Sequence, residues 1–400
     1  MSIPIEGSCD ERFAKVREVF EAAFEKYGEV GAAISFTLDG ESVVDLWGGY
    51  VDADRRRPWR SDTLVNTYST TKGMTALCAH QLVERGKIDL DAKVADYWPE
   101  FAQAGKESIT VRWLISHQAG LPAIRKPLPD EALYDWEAMI SALAAESTWW
   151  EPGTQHGYHP VTFGHLVGEV IRRVSGQSVG EWFRQHVSGP LDADFHIGLP
   201  ASEDARVSNL IGGLIAPKLD EKAEPGQAVA RLKGPMAQFM RDMTDPTTMV
   251  GAAFNNPRQP RGAVNGRAWR GAEIPAANGH GTARALARIY GALARGGEID
   301  GVRLLEPESI ERARTRQASG PDATLGGLPI DYGLGFMLQS RSMPLSPNVG
   351  SFGHPGAGGS LGMADPAARV GFGYVMNKMK PGLMGGQTGY AVIDAFYAAL

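Results

Sequence analysis

The sequence predicts an α/β fold of the α+β kind: one antiparallel sheet built from both termini and flanked by helices, with a mainly helical subdomain inserted between them. Three observations predict it. A hairpin signature lies near the start, strand signatures return only near the end, and helical periodicity fills the long middle. The expected sheet part covers about 1–65 and 280–400 and the helical and loop part about 66–279 of a single domain, with a cleft at their junction.

Phe13, Val16, Phe20, Phe24 and Tyr27 recur at spacings of three and four, the stripe of an amphipathic helix that Gly28 ends. "GAAISFTLDGESVVDLWGGY" then sets two β-rich runs around Asp39-Gly40, a two-residue hairpin signal. Helical stretches follow near 69–85, 110–117, 134–145, 161–175, 179–187 and 282–295, several of them ended by glycine. The Gly- and Pro-rich stretch from about 200 to 278 is poor in regular signals and reads as loops edging the cleft. Strand signals return in "YGLGFMLQ" and in "SLGMADPAARVGFGYVMNK", where Asp365-Pro366 marks a turn. A last helix, "GGQTGYAVIDAFYAAL", closes the chain.

With 400 residues, 43% of them hydrophobic and 22% charged, the chain can bury a sizeable core. The net charge of -6 is spread out, and the densest basic run, Arg55-Arg56-Arg57 with Arg60, lacks aromatic interleaving, so nucleic acid is not an expected partner. No run approaches about 18 consecutive apolar residues, and no membrane helix is expected. "MSIPIEGSCDERFAKV" lacks the basic start and apolar segment of a secretory signal, which makes the cytoplasm the expected location. Cys9, placed in a flexible terminus, and Cys78, placed in a helix, suggest neither a disulfide framework nor a four-ligand zinc site. His156, His159 and His165 could suggest a metal cluster, but Gly157 and Pro160 interrupt any helix that would align the first two, and no metal or organic cofactor is expected.

The chemistry is expected in "TYSTTKGMTALCAHQLVERGKIDL", where Ser69 precedes Lys72 by three residues at the start of a predicted helix. The two share a helix face, and unpaired N–H groups at the helix start favour an anion. A serine hydroxyl needs a base, and a lysine serves once burial or a neighbouring positive charge lowers its pKa from about 10.4 toward neutrality. Taken alone, Ser-x-x-Lys more often means a helix cap and a solvated charge.

Context decides for chemistry. "TLVNTYSTTKGMTALCAHQLVERGKIDLDAKVADYWPEF", "ITVRWLISHQAGLP", "EPGTQHGYHPVTFGHLVGEVIRRVSG", "YGLGFML" and "FGHPGAGGSLGMADPAARVGFGYVMN" resemble, in order, the class C β-lactamase and penicillin-binding-protein superfamily, and most closely its esterase branch, the family VIII carboxylesterases. The resemblance implies a helical and an α/β subdomain enclosing a serine site. It implies Ser69 as nucleophile, Lys72 as proton-transfer partner and Tyr158 as the tyrosine of a second motif. A phenol held near an ammonium is expected to have a lowered pKa. The third motif falls at His354-Pro355-Gly356, with the amides of Ser69 and Ala357 as the implied oxyanion hole and His354 and Gly356 as substrate contacts. Trp149 and Trp150 are candidates for an acyl or alcohol pocket, with core packing an equal alternative.

Two departures matter. β-Lactamases continue Tyr-x-Asn where this chain has Tyr158-His159-Pro160, and they carry a lysine at the position of His354. Both shift the expected substrate from lactam to small-molecule ester. Ser360, in Gly358-Gly359-Ser360-Leu361-Gly362, matches the G-x-S-x-G pattern of α/β-hydrolases, yet it leads into strand, turn and strand rather than the helix that motif requires. The expected activity is hydrolysis of carboxylic esters through an acyl-enzyme. β-Lactam or other amide hydrolysis, acyl transfer, and a penicillin-binding-like receptor with little turnover remain the alternatives.

Overall fold

A computed structural model describes residues 3–213, 235–260 and 262–400. From the N-terminal end come β1 (Ile5–Cys9), β2 (Gly31–Leu38) and β3 (Glu41–Gly49). Four short strands, β4 (Leu64–Asn66), β5 (Phe195–His196), β6 (Val207–Ser208) and β7 (His280–Gly281), form a small second sheet, and β8 (Glu298–Ile299) pairs with β9 (Val302–Arg303). The C-terminal end supplies β10 (Met337–Leu338), β11 (Phe352–Pro355), β12 (Leu361–Asp365) and β13 (Val370–Met376). The main sheet runs β1-β3-β2-β13-β12-β11-β10, every neighbouring pair antiparallel, so both ends of the chain do build one sheet.

Its centre is the β2–β13 pair, where Phe36 faces Phe372 and Ile34 faces Tyr374. Alternate residues point to opposite faces, and helices cover both, which is why β2 is buried almost from end to end. On one face Phe36 lies 4.4 Å from Phe372 and 4.2 Å from Phe396 of the last helix, Gln387–Tyr397, and Phe396 stacks 4.4 Å from Phe13. The helix Ala14–Lys26 that follows Phe13 buries Val16, Phe20 and Phe24 beside it. On the other face the helix Ala283–Ala294 crosses β13, β2 and β12. A Cβ on Gly371 would come 2.3 Å from Gly291 N, and one on Gly373 2.1 Å from Ala283 O, so this helix lies directly on the strand backbone. The β2–β3 turn has Asp39 at φ 52° and Gly40 at φ 91°, the positive pair that a tight two-residue hairpin requires.

The middle of the chain is helical, with Trp136–Ala145 and Thr162–Ser175 among its longer helices. The helix Thr71–Glu84 is buried from Thr71 to Leu82 and packs against both β11 and Thr162–Ser175, joining the sheet to the helical part. Two expectations are corrected. Cys9 is not in a flexible terminus but ends β1 opposite Val44. The stretch expected as loops contains the helices Pro235–Thr244, Met249–Asn255 and Arg267–Gly271, while its residues 214–234 lie outside the described ones. No helix among the described residues is long and apolar enough to cross a membrane.

Candidate active site

After β4 the chain turns through Thr67–Thr70 into the helix Thr71–Glu84. The turn is tied to the segment around Gly279, whose carbonyl accepts the Thr67 N–H at 2.8 Å and whose N–H donates to Thr71 Oγ1 at 2.8 Å. Tight turns lead in, with Thr71 N–H donating to the Tyr68 carbonyl at 3.0 Å and Lys72 N–H to that of Ser69 at 2.9 Å. Ser69 therefore lies at the N-terminus of the helix, two residues ahead of Thr71. Tyr68 has φ 46°, a strained left-handed conformation for a residue with a side chain, and it and half-buried Ser69 both line a cleft.

Lys72 is wholly buried, with Nζ 3.2 Å from Ser69 Oγ, 2.7 Å from the Pro160 carbonyl and 3.0 Å from the Ala276 carbonyl. Loss of water pushes its amine well below the ordinary lysine value. A neutral amine has two N–H bonds and one lone pair. The two carbonyls take the N–H bonds, and the lone pair is left for the Ser69 hydroxyl. Nζ also sits 4.6 Å from the centre of the Tyr158 ring.

Tyr158 is held by its main chain. Gly157 N–H donates to the His117 carbonyl at 3.1 Å, Tyr158 N–H to both Asp322 oxygens at 3.0 and 2.9 Å, and His159 N–H to His117 Nδ1 at 3.2 Å. His117 itself has φ 62°. Tyr158 and Ser69 both line the cleft. The acidity of Tyr158 corrects an expectation: burial pushes the phenol up, against a smaller downward pull from Ser69, so it is not the acidified phenol that a neighbouring ammonium would produce. With Lys72 pushed down and Tyr158 up, the amine is left able to be neutral and the phenol holds its proton.

The hairpin between β11 and β12 closes the other side. A Cβ on Gly356 would come 2.1 Å from the Thr67 carbonyl, so only glycine lets the hairpin reach the Ser69 turn. Ser360 is buried there, its hydroxyl donating to the Thr67 carbonyl at 2.7 Å and lying 3.1 Å from Thr70 Oγ1. It ties the hairpin to the turn and is followed by β12, not by a helix. Ser69 and Ala357 both line the cleft, and neither backbone N–H has a partner among the described residues.

The cleft holds ≈ 880 Å³, counted out to its mouth. Tyr68, Ser69, Tyr158 and Ala357 contribute to its lining, and Leu133, Phe254, Val264, Trp269, Leu383 and Met384 supply much of the rest. Gln259 is its polar exception, its Oε1 accepting from the Tyr134 hydroxyl at 3.1 Å. The four expected substrate contacts lie elsewhere. Trp149 donates Nε1 to the Ala123 carbonyl at 2.9 Å with the Arg125 guanidinium 3.7 Å above its ring, and Trp150 packs edge-on to His159. His354 is buried 6.0 Å behind the Tyr158 ring with Nδ1 2.7 Å from the Pro355 carbonyl, and Gly356 is spent on hairpin packing. Burial, with Lys72 nearby, takes His354 down to about 3, so it is neutral. Apart from Tyr68 and Gln259, the lining residues the sequence reading missed are ordinary apolar side chains from separate segments of the chain, with no shared motif; only their concentration in 254–277 coincides with the stretch expected to edge the cleft.

A family model described as Beta-lactamase matches residues 16–395. The chain is similar to Esterase/beta-lactamase LipL of Mycobacterium tuberculosis, 39% identical over 93% of this chain and 83% of that one. It is similar in structure to a family VIII carboxylesterase, with 42% identity, a TM-score of 0.88 and 100% of both chains covered. It is also similar to a penicillin-binding protein homolog from Caulobacter crescentus, with 42% identity, a TM-score of 0.87, and 99% of this chain and 100% of that one covered. The match extends through every element that carries the Ser69 cleft, from the turn at Thr67 to the hairpin at Ser360, and the chain belongs to the beta-lactamase family.

Proposed function

We propose that the protein is a serine carboxylesterase that hydrolyses short-chain carboxylic esters through an acyl-enzyme. One observation carries the reading: a wholly buried lysine amine stands 3.2 Å from a serine hydroxyl at the wall of an apolar cleft. Lys72 takes the Ser69 proton as Oγ bonds to the ester carbonyl carbon, and the amides of Ser69 and Ala357 hold the oxyanion. The ester C–O bond then breaks. The departing alkoxide takes a proton from the Tyr158 phenol, which the Lys72 ammonium restores, and water attacks the acyl-serine by the same relay in reverse. No metal or organic cofactor enters this scheme. The two unpaired cysteines, Cys9 and Cys78, accord with a reducing cytoplasm as its setting.

The similarity to a family VIII carboxylesterase supports the ester reading over the lactam one, whereas the relative named Esterase/beta-lactamase LipL is compatible with both. The cleft also supports the ester reading, since its wall carries Pro160 at the position of the β-lactamase asparagine, so that no amide side chain stands there to pair that of a β-lactam. A group left without a partner costs about 1–3 kcal/mol. The test is steady-state kinetics with a short-chain aryl ester and a penicillin. We expect kcat/KM for the ester to exceed that for the penicillin by at least about three orders of magnitude. Comparable penicillin turnover would overturn the ester reading, and an acylation burst without turnover on either substrate would mark a receptor instead.

A further inference from the structure

Asp322 lies 164 residues beyond Tyr158 in a segment, "PDATLGG", that reads as a plain surface turn, yet it is fully buried. Part of its bonding is local: Oδ1 accepts the N–H groups of Thr324 and Leu325 at 2.8 Å each, which shapes its own loop. The rest is not. Both oxygens accept the Tyr158 N–H, and Oδ2 also accepts the Tyr332 hydroxyl at 2.9 Å. Every neighbour is a donor, an arrangement that suits a carboxylate and leaves a carboxylic acid proton without an acceptor.

The two segments meet at unusually close range. A Cβ on Gly157 would come 2.8 Å from Thr324 Oγ1 and 3.2 Å from Ala323 Cβ, and Ala323 N–H donates to the His156 carbonyl at 3.1 Å. Beyond the clamp, Pro160 offers no N–H, and its carbonyl is an acceptor for Lys72 Nζ. Leu325, three residues past Asp322, is part of the cleft wall. One carboxylate thus fixes the backbone of Tyr158, the approach of the segment that orients Lys72, and one side of the cleft.

We propose that Asp322 is a positioning residue for proton transfer, whose buried carboxylate aims the Tyr158 phenol at Ser69 by anchoring the Tyr158 amide. It touches no substrate and acts through Tyr158, so the proposal rests on the reading of Tyr158 given above. Misplacement of a reacting group by about an ångström costs on the order of a hundredfold in rate.

The experiment is a double-mutant cycle on ester hydrolysis with Asp322→Asn and Tyr158→Phe, singly and together, with folded sites counted by titration of Ser69 with a fluorophosphonate. Asp322→Asn is expected to lower kcat about 10- to 100-fold with KM changed less than about threefold, and to cost less than about threefold in the Tyr158→Phe background. A variant that merely loosens the fold would lose titratable sites and would cost the same factor in both backgrounds. If Asp322→Asn does not fold, Tyr332→Phe, which removes one donor from the carboxylate, decides by the same two criteria with an expected fall in kcat of about 3- to 10-fold. A kcat within about twofold of wild type for the folded variant, or equal losses with and without the phenol, overturns the proposal. Wild-type kcat in Tyr158→Phe alone would instead overturn the role of Tyr158 on which it rests.

Discussion

The β2–β13 centre of the sheet and the segment around Tyr158 are both cut off from water, but by opposite means. Around Phe36 the buried groups are apolar rings, and the strand amides are paired along the sheet. Around Tyr158 they are an amine, a carboxylate, a phenol and several imidazoles, each set against named partners, with Tyr68 and His117 strained in the left-handed region. The first arrangement lowers free energy by removing apolar surface from water. The second costs free energy, since it strips water from groups that want to be charged, and that cost yields an amine ready to accept a proton.

If the two regions differ in this way, changes in one should alter chemistry and changes in the other stability. The largest effect is expected at Lys72. Lys72→Arg should be as inactive as Lys72→Ala, with kcat down by about three orders of magnitude or more, because a guanidinium stays protonated and cannot take the Ser69 proton. Steady-state ester kinetics checks this, and substantial activity in the arginine variant would mean that a positive charge suffices there. In wild type, kcat/KM should fall as the pH drops through the lowered pKa of Lys72.

Next comes the sheet. Phe36→Ala should cost about 3–5 kcal/mol of unfolding free energy by removing the ring between Phe372 and Phe396, measured as a shift in denaturant midpoint. The surviving folded fraction should keep kcat within about twofold. A change in kcat as large as that at Lys72 would break the comparison.

The smallest effect per group joins the two regions. Burial takes His159, His280 and His354 down to about 3 and His80 and His165 to about 4, against about 6.5 for an exposed histidine. Below about pH 6.5 the unfolded chain binds protons that the folded chain refuses, so stability falls as the pH drops toward 4, by up to about 1.4 kcal/mol per histidine per pH unit. Glu29 and Asp322, whose carboxyls burial pushes up, oppose this but are fewer. Thermal midpoints between pH 4 and 8 should decline on the acid side, and a midpoint constant down to pH 5 would contradict the buried neutral histidines.

The same contrast explains what could be read from the sequence. Period-3.6 and period-2 patterns record apolar burial, so the helix Ala14–Lys26 and the hairpin at Asp39-Gly40 were legible. β1 was not, because "IEGSC" is an edge strand with a mostly exposed pattern, and β5 to β7 are two residues each, too short for any period. Ser69, Lys72, Tyr158 and Ala357 were legible through motif order. Asp322 and the cleft lining were not: a turn-like aspartate and scattered apolar residues acquire meaning only once the fold brings them together.

The account turns on which serine reacts. Treatment with a fluorophosphonate followed by peptide mass spectrometry should place one adduct on Ser69 in wild type and in Ser360→Ala, and none in Ser69→Ala, with ester hydrolysis lost only in the last. Ser360 is committed to the Thr67 carbonyl and has no base hydrogen-bonded to it among the described residues, whereas Ser69 has Lys72 at 3.2 Å. An adduct on Ser360, or ester hydrolysis that survives in Ser69→Ala, would contradict the account.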